Sequence, residues 1–112
     1  MTSQEVQERI AQHAAAFNAA VQSGDWYSFA DRFTPDATMR FIGVPAGPFT
    51  GRAAIAQAYV EQPPTDTLAI RDVDSTGDVD TALFAWSAGS GGVMRLTWEG
   101  PLVADLEITF DD

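Results

Sequence analysis

The sequence contains no cysteine and a single histidine. Disulfides, thiolate nucleophiles and cysteine-based zinc sites are therefore excluded. Positive charge is scarce: six basic residues stand against sixteen acidic ones, a formal net charge of −10. A surface of that sign repels phosphate backbones and anionic headgroups, so neither nucleic acid nor membrane is expected as a partner. Long apolar runs are also missing. The candidate stretches, residues 41–51 and 81–94, are broken by glycine, and the first by proline as well. Neither approaches the roughly 20 apolar residues of a membrane-spanning helix. Residues 1–5 lack the basic start and apolar run of a secretory signal, so the expected location is the cytoplasm. What is present is a 112-residue chain, 46% hydrophobic, sized for one core and one domain over residues 1–112.

Thr2 and Glu5 have the spacing of a capping box. Behind them Val6, Ile10, Phe17 and Val21 recur at helical spacing, and Gly24 is placed to stop that helix in a left-handed conformation. Asp25 then N-caps a short second helix with the stripe Trp26, Phe29 and Phe33, which Thr34-Pro35-Asp36 ends. Residues 37–42 alternate as a half-buried strand, and residues 43–48 form a loop. Thr50 or Gly51 opens a third helix with Ile55 and Tyr59 on one face, terminated by Pro63-Pro64. From Thr67 the pattern has period two: Leu68/Ile70, Phe84/Trp86, Met94/Leu96/Trp98, then Leu102 through Phe110 on alternate residues. Turns fall at residues 77–78, 89–92 and 99–101. Gly89-Ser90-Gly91 reads as a three-residue hairpin loop, which sets Ala88 opposite Gly92 and Trp86 opposite Met94. Helices first and hairpin-joined strands afterwards predict an α+β domain with an antiparallel sheet.

In chain order the sequence presents Phe17-Asn18-Ala19-Ala20, Ser23-Gly24-Asp25-Trp26, and Phe33 with Pro35-Asp36-Ala37-Thr38. Pro48-Phe49-Thr50-Gly51-Arg52-Ala53-Ala54-Ile55, Tyr59, Leu96-Thr97-Trp98-Glu99-Gly100 and Leu106-Glu107-Ile108-Thr109-Phe110 follow. This ordered set resembles the NTF2-like superfamily, and within it the small bacterial SnoaL-like and ketosteroid-isomerase-like proteins. The resemblance implies a cone: a curved antiparallel sheet wrapped around three helices from the N-terminal half, with an apolar pocket at the wide end. It also implies a homodimer formed through the outer face of the sheet.

In the ketosteroid isomerases a carboxylate at the end of the first strand shuttles a proton. A helix tyrosine and a protonated aspartate on a later strand stabilise the enolate. Aligned on Gly24-Asp25, Phe17 stands at the tyrosine's position, Phe41 at the shuttling carboxylate's, and Met94 near the oxyanion aspartate's. Tyr59, which in those enzymes supports the helix tyrosine, is retained. The resemblance thus implies a chain without the machinery for that isomerisation. The cyclases and epoxide hydrolases of this fold need inward-facing acids, or an Arg/Asp set around a water. Here the acids sit at turns, helix ends and polar strand positions and read as a solvated face, with Asp105, Glu107, Arg40 and Arg95 alternating away from the core.

Two polar residues carry rival readings. His13 is a general base reaching the pocket, or a helix-packing histidine. Tyr59 is a hydrogen-bond donor to a ligand carbonyl, or a core residue satisfying a neighbour. Residues 72–80 imitate the opening of an EF-hand loop, but the twelfth position is Leu83 and the flanks read as strands, so an acidic hairpin turn is expected. The glycines at 89–92 lack the following Lys-Ser/Thr and helix of a phosphate loop. No cofactor or metal is expected.

The expected ligand-binding residues are Phe17, Met39, Phe41, Tyr59, Trp86 and Met94, with His13, Phe49 and Ile108 at the margins. Three functions compete: a non-catalytic pocket protein holding a small hydrophobic molecule as a homodimer, an isomerase- or cyclase-type enzyme using His13 or Tyr59, and a dimeric interaction module whose cone is filled.

Overall fold

A computed structural model describes residues 2–110 of the chain. Helix α1 (Ser3–Ser23) begins where the Thr2 hydroxyl accepts the Glu5 amide at 3.2 Å and ends at Gly24, whose φ of 78° no β-carbon opposes. Asp25 caps α2 (Trp26–Ala30) through the Ser28 amide and hydroxyl. Strand β1 (Phe33–Ile42) and the short β2 (Phe49–Thr50) precede α3 (Arg52–Glu61). Strands β3 (Leu68–Thr76), β4 (Val79–Trp86), β5 (Gly91–Glu99) and β6 (Leu102–Phe110) complete the chain.

The six strands form one curved sheet in the order β2-β1-β6-β5-β4-β3, not closed into a barrel. Strands β3 to β6 are a meander of antiparallel hairpins, whereas β1 pairs with β6 in parallel. That one parallel pair departs from the all-antiparallel expectation, and it arises because α3 and the whole meander intervene between the two strands. The helices lie on the concave face. Asn18 of α1 pins the edge strand by donating to the Leu68 carbonyl at 2.9 Å and accepting its amide at 2.8 Å. The Arg52 guanidinium donates to the Phe33 carbonyl and ties α3 to β1.

Three local expectations are corrected. Phe33 is not the last stripe residue of α2 but the first residue of β1, and Thr34-Pro35-Asp36 lies within that strand. The amide of Arg32 closes the helix on the Phe29 carbonyl, while its own carbonyl accepts Val103 of β6, so pairing begins at once. Leu102 and Ala104 do not continue the inward set of Leu106. Thr97 opposes Asp105 while Trp98 opposes Val103, so Ala104 is the extra residue of a bulge and Val103 takes the buried position. Finally, the β4–β5 connection is residues 87–90, closed by the Trp86 amide donating to the Ser90 carbonyl at 2.9 Å. Met94 therefore faces Ala82 rather than Trp86. Met94's partner moves by four residues, an even number, so Trp86 keeps the inward face. The reason lies in Gly91 and Gly92. A β-carbon at Gly91 would stand 2.0 Å from the Phe84 carbonyl oxygen, so these glycines are needed for close approach inside the ladder, not in the turn. The acid-rich segment 72–80 is the β3–β4 hairpin.

Candidate functional site

Between the sheet and the helices lies a cavity of about 410 Å³. Alternation along the strands supplies Met39 and Phe41 from β1, Phe84 and Trp86 from β4, Met94 from β5 and Ile108 from β6. The helices contribute His13 and Phe17 from α1, Phe29 from α2 and Tyr59 from α3. Gly92 leaves its place on the face empty, so the Phe84 ring lies against its backbone and Trp86 reaches Phe110 across it, at 6.5 Å between centroids. Phe110 in turn stacks on Phe41 at 5.9 Å. The mouth is bordered by Ala46 of the β1–β2 loop and by Glu61, Gln62 and Pro64 at the end of α3.

All six residues expected to contact a ligand, and the three expected at the margins, line this one cavity. Phe29, Phe84, Phe110 and Glu61 line it as well and were not in the expected set. Phe84 and Phe110 share strand parity with Trp86 and Ile108 and were legible on that ground, whereas Glu61 follows from where α3 stops.

His13 is buried, with its ring 5.3 Å from Phe29, 6.0 Å from Phe33 and 6.5 Å from Trp98. Its Nδ1 is enclosed without a hydrogen-bond partner. Burial, reinforced by the Arg32 charge, pushes its pKa down to about 3, so the imidazole is neutral at physiological pH. Tyr59 stacks on Trp26 at 4.5 Å, and burial raises its hydroxyl well above the usual phenol range, which keeps it protonated. Both residues therefore pack in the core and line the cavity as neutral polar groups.

One acid contradicts the expectation of a wholly solvated acidic face. Asp80 is completely buried, away from the cavity. Arg9 of α1 donates to both its oxygens at 2.6 Å, and the Trp98 indole donates at 2.9 Å. The guanidinium also lies 5.0 Å from the Trp98 ring centre. Burial alone would raise the carboxyl's pKa, but the hydrogen bonds and charge of Arg9, with Ser75 and Trp98, outweigh it and hold the group below its usual range. The missed signal was parity, because Asp80 shares a strand face with Ala82, Phe84 and Trp86. This Arg/Asp pair does not line the cavity. By contrast, Arg40 meets Asp105 at 2.6 Å and Glu107 at 3.6 Å across the β1–β6 pair. Among the described residues no cluster of three or more His, Asp or Glu could hold a metal ion, and no helix is long and apolar enough to cross a membrane.

The SnoaL-like domain model matches residues 3–92. No protein of curated function matches the sequence. Solved structures with this fold include a protein with a ketosteroid isomerase-like fold from Catenulispora acidiphila in complex with trimethylamine (TM-score 0.75, 14% identity, 88% of this chain and 85% of that one). Another is the epoxide hydrolase/cyclase-like enzyme SalBIII, with a role in pyran ring formation in polyether salinomycin (TM-score 0.74, 17% identity, 96% and 92%). A third is an NTF2-like protein of unknown function from Burkholderia xenovorans (TM-score 0.72, 18% identity, 96% and 86%). The family match over most of the chain, on a sheet and helices arranged as in these structures, makes this protein a member of the SnoaL-like family with the NTF2-like fold.

Proposed function

We propose that the chain binds a small, largely apolar molecule inside the cone without transforming it, and does so as a cytoplasmic homodimer. The observation that supports this most is the cavity wall itself. Phe17, Phe41 and Met94 border a space of about 410 Å³ at the positions where the resemblance puts the tyrosine and carboxylates of the ketosteroid isomerases. A cavity of that size with apolar walls and few polar groups suits a small hydrophobic guest. Proton transfer at neutral pH needs a base that titrates nearby, and His13, held at about 3, is far from that range. His13 and Tyr59 instead serve as neutral hydrogen-bonding groups for a ligand oxygen.

The outer sheet face supports a dimer. Leu83, Val93, Thr109 and Ile42 lie opposite one another in a row across four strands, with Leu83 and Ile42 each 45% exposed. The adjoining row is Thr81, Arg95, Glu107 and Arg40, whose opposite charges can pair with a second copy related by a two-fold axis.

A second reading, an isomerase- or cyclase-type enzyme, draws on His13 and Tyr59 sharing one cavity. The experiment is a thermal-shift screen of steroids, polyketides and aromatic acids on the unaltered chain and on Ala58→Phe, which fills the cavity from α3. Under the binding reading, a ligand raises the apparent melting temperature of the unaltered chain in a concentration-dependent way and leaves the filled variant unmoved. A screen in which nothing shifts the unaltered chain contradicts it. Turnover that is lost in His13→Ala or Tyr59→Phe favours the enzyme.

A further inference from the structure

We propose that the preferred guest is an organic cation, an aromatic or alkyl ammonium whose charged head sits at the cavity mouth between the half-exposed rings and Glu61. This rests on the binding reading above and specifies its ligand class. The deep rings of the cavity, Phe17, Phe29 and Phe84, are buried, whereas Phe41, Phe49, Trp86 and Phe110 are only partly covered. Phe41, Phe110 and Trp86 form a nearly parallel row, with interplanar angles of 14° and 22° between neighbours, and Phe49 meets Phe41 edge-on at 6.2 Å. Aromatic faces carry negative potential, and several around one opening attract an ammonium group more than the isosteric hydrocarbon. Across the same opening Glu61 is the one group of full charge among the described lining residues, because His13 is neutral. Glu61 is also the last residue of α3, whose final turn holds no basic side chain, so the helix's carbonyl end adds partial negative charge there. Among the described residues no arginine lines the cavity, and the net charge of −10 favours cations at long range. An anionic head meets no positively charged side chain among the described lining residues.

Three probes share one phenyl ring and a tetrahedral head of different charge: phenyltrimethylammonium, tert-butylbenzene and benzenesulfonate. Their affinities are measured by titration calorimetry, with intrinsic tryptophan fluorescence, to which Trp86 of the cavity wall contributes, as a second readout. The expected order is cation, then neutral, then anion, with the cation several-fold tighter than the hydrocarbon. Glu61→Gln should weaken the cation several-fold and leave tert-butylbenzene unchanged. Glu99→Gln, which removes the same charge at the far end of the sheet, should have a smaller effect. Binding of tert-butylbenzene equal to or tighter than the cation overturns the ligand class while leaving the pocket reading intact. An unaltered cation affinity in Glu61→Gln overturns the role of Glu61. If none of the three binds, the pocket reading fails, and this inference with it.

Discussion

His13 is the only histidine, so its titration can be read in the stability of the whole chain. Its folded pKa of about 3 lies below the unfolded value of 6.5, so the unfolded chain takes up the proton first. The contribution is complete above the unfolded value and is lost progressively as the pH falls toward 3. Urea unfolding should show a loss of about 2 kcal/mol from this group between pH 8 and pH 5. His13→Leu should flatten that slope, and an unchanged slope in the variant would place the titration elsewhere. Asp80 offers a second test at this scale. Asp80→Ala leaves Arg9 charged and enclosed, and should cost about 3–5 kcal/mol. Replacing both partners, Arg9→Met with Asp80→Leu, should recover most of that loss in the same denaturation assay. The sequence held the clue to Asp80 in its alternation with Ala82 and Phe84. What it could not show was the partner, because Arg9 lies 71 residues away on a different element.

The helices and strands were legible wherever a chemical stop coincided with a periodicity. Thr2, Gly24 and Asp25 mark the ends of α1 and α2 through side-chain and backbone hydrogen bonds that depend on few neighbours. The glycines at 89–92 were harder, because a glycine that permits a positive φ and a glycine that makes room look alike in sequence. Gly89, at φ 106°, is of the first kind, while Gly91 and Gly92 are of the second. Gly91→Ala should therefore destabilise the protein by about 1–3 kcal/mol through overpacking against the Phe84 backbone, read from the urea midpoint. The β6 bulge was illegible for a related reason. Leu102 and Ala104 continue the apolar alternation, and only pairing with β5 reveals that the register slips between Thr97 and Trp98.

For the whole molecule, order of elements and a family resemblance together led to the cone, and the residues expected around its cavity do surround one space. The residues expected to contact a ligand are all large apolar or aromatic side chains on inward faces. The mouth was missed because Ala46, Glu61, Gln62 and Pro64 carry no periodic signal and owe their positions to where loops and helix ends meet. The proposed dimer belongs to this scale too. Light scattering should give twice the chain mass, and Leu83→Glu with Ile42→Glu, which places acids in the exposed apolar row, should give the monomer. The claim on which all of this turns is that the cone is hollow and that its walls are greasy enough to hold an apolar guest. Diffraction from a crystal under xenon pressure tests it directly, since dry apolar cavities take up xenon. Anomalous density for xenon, or a resident ligand, is expected among Phe17, Met39, Trp86 and Met94. Side chains collapsed onto one another with neither guest between them would contradict it.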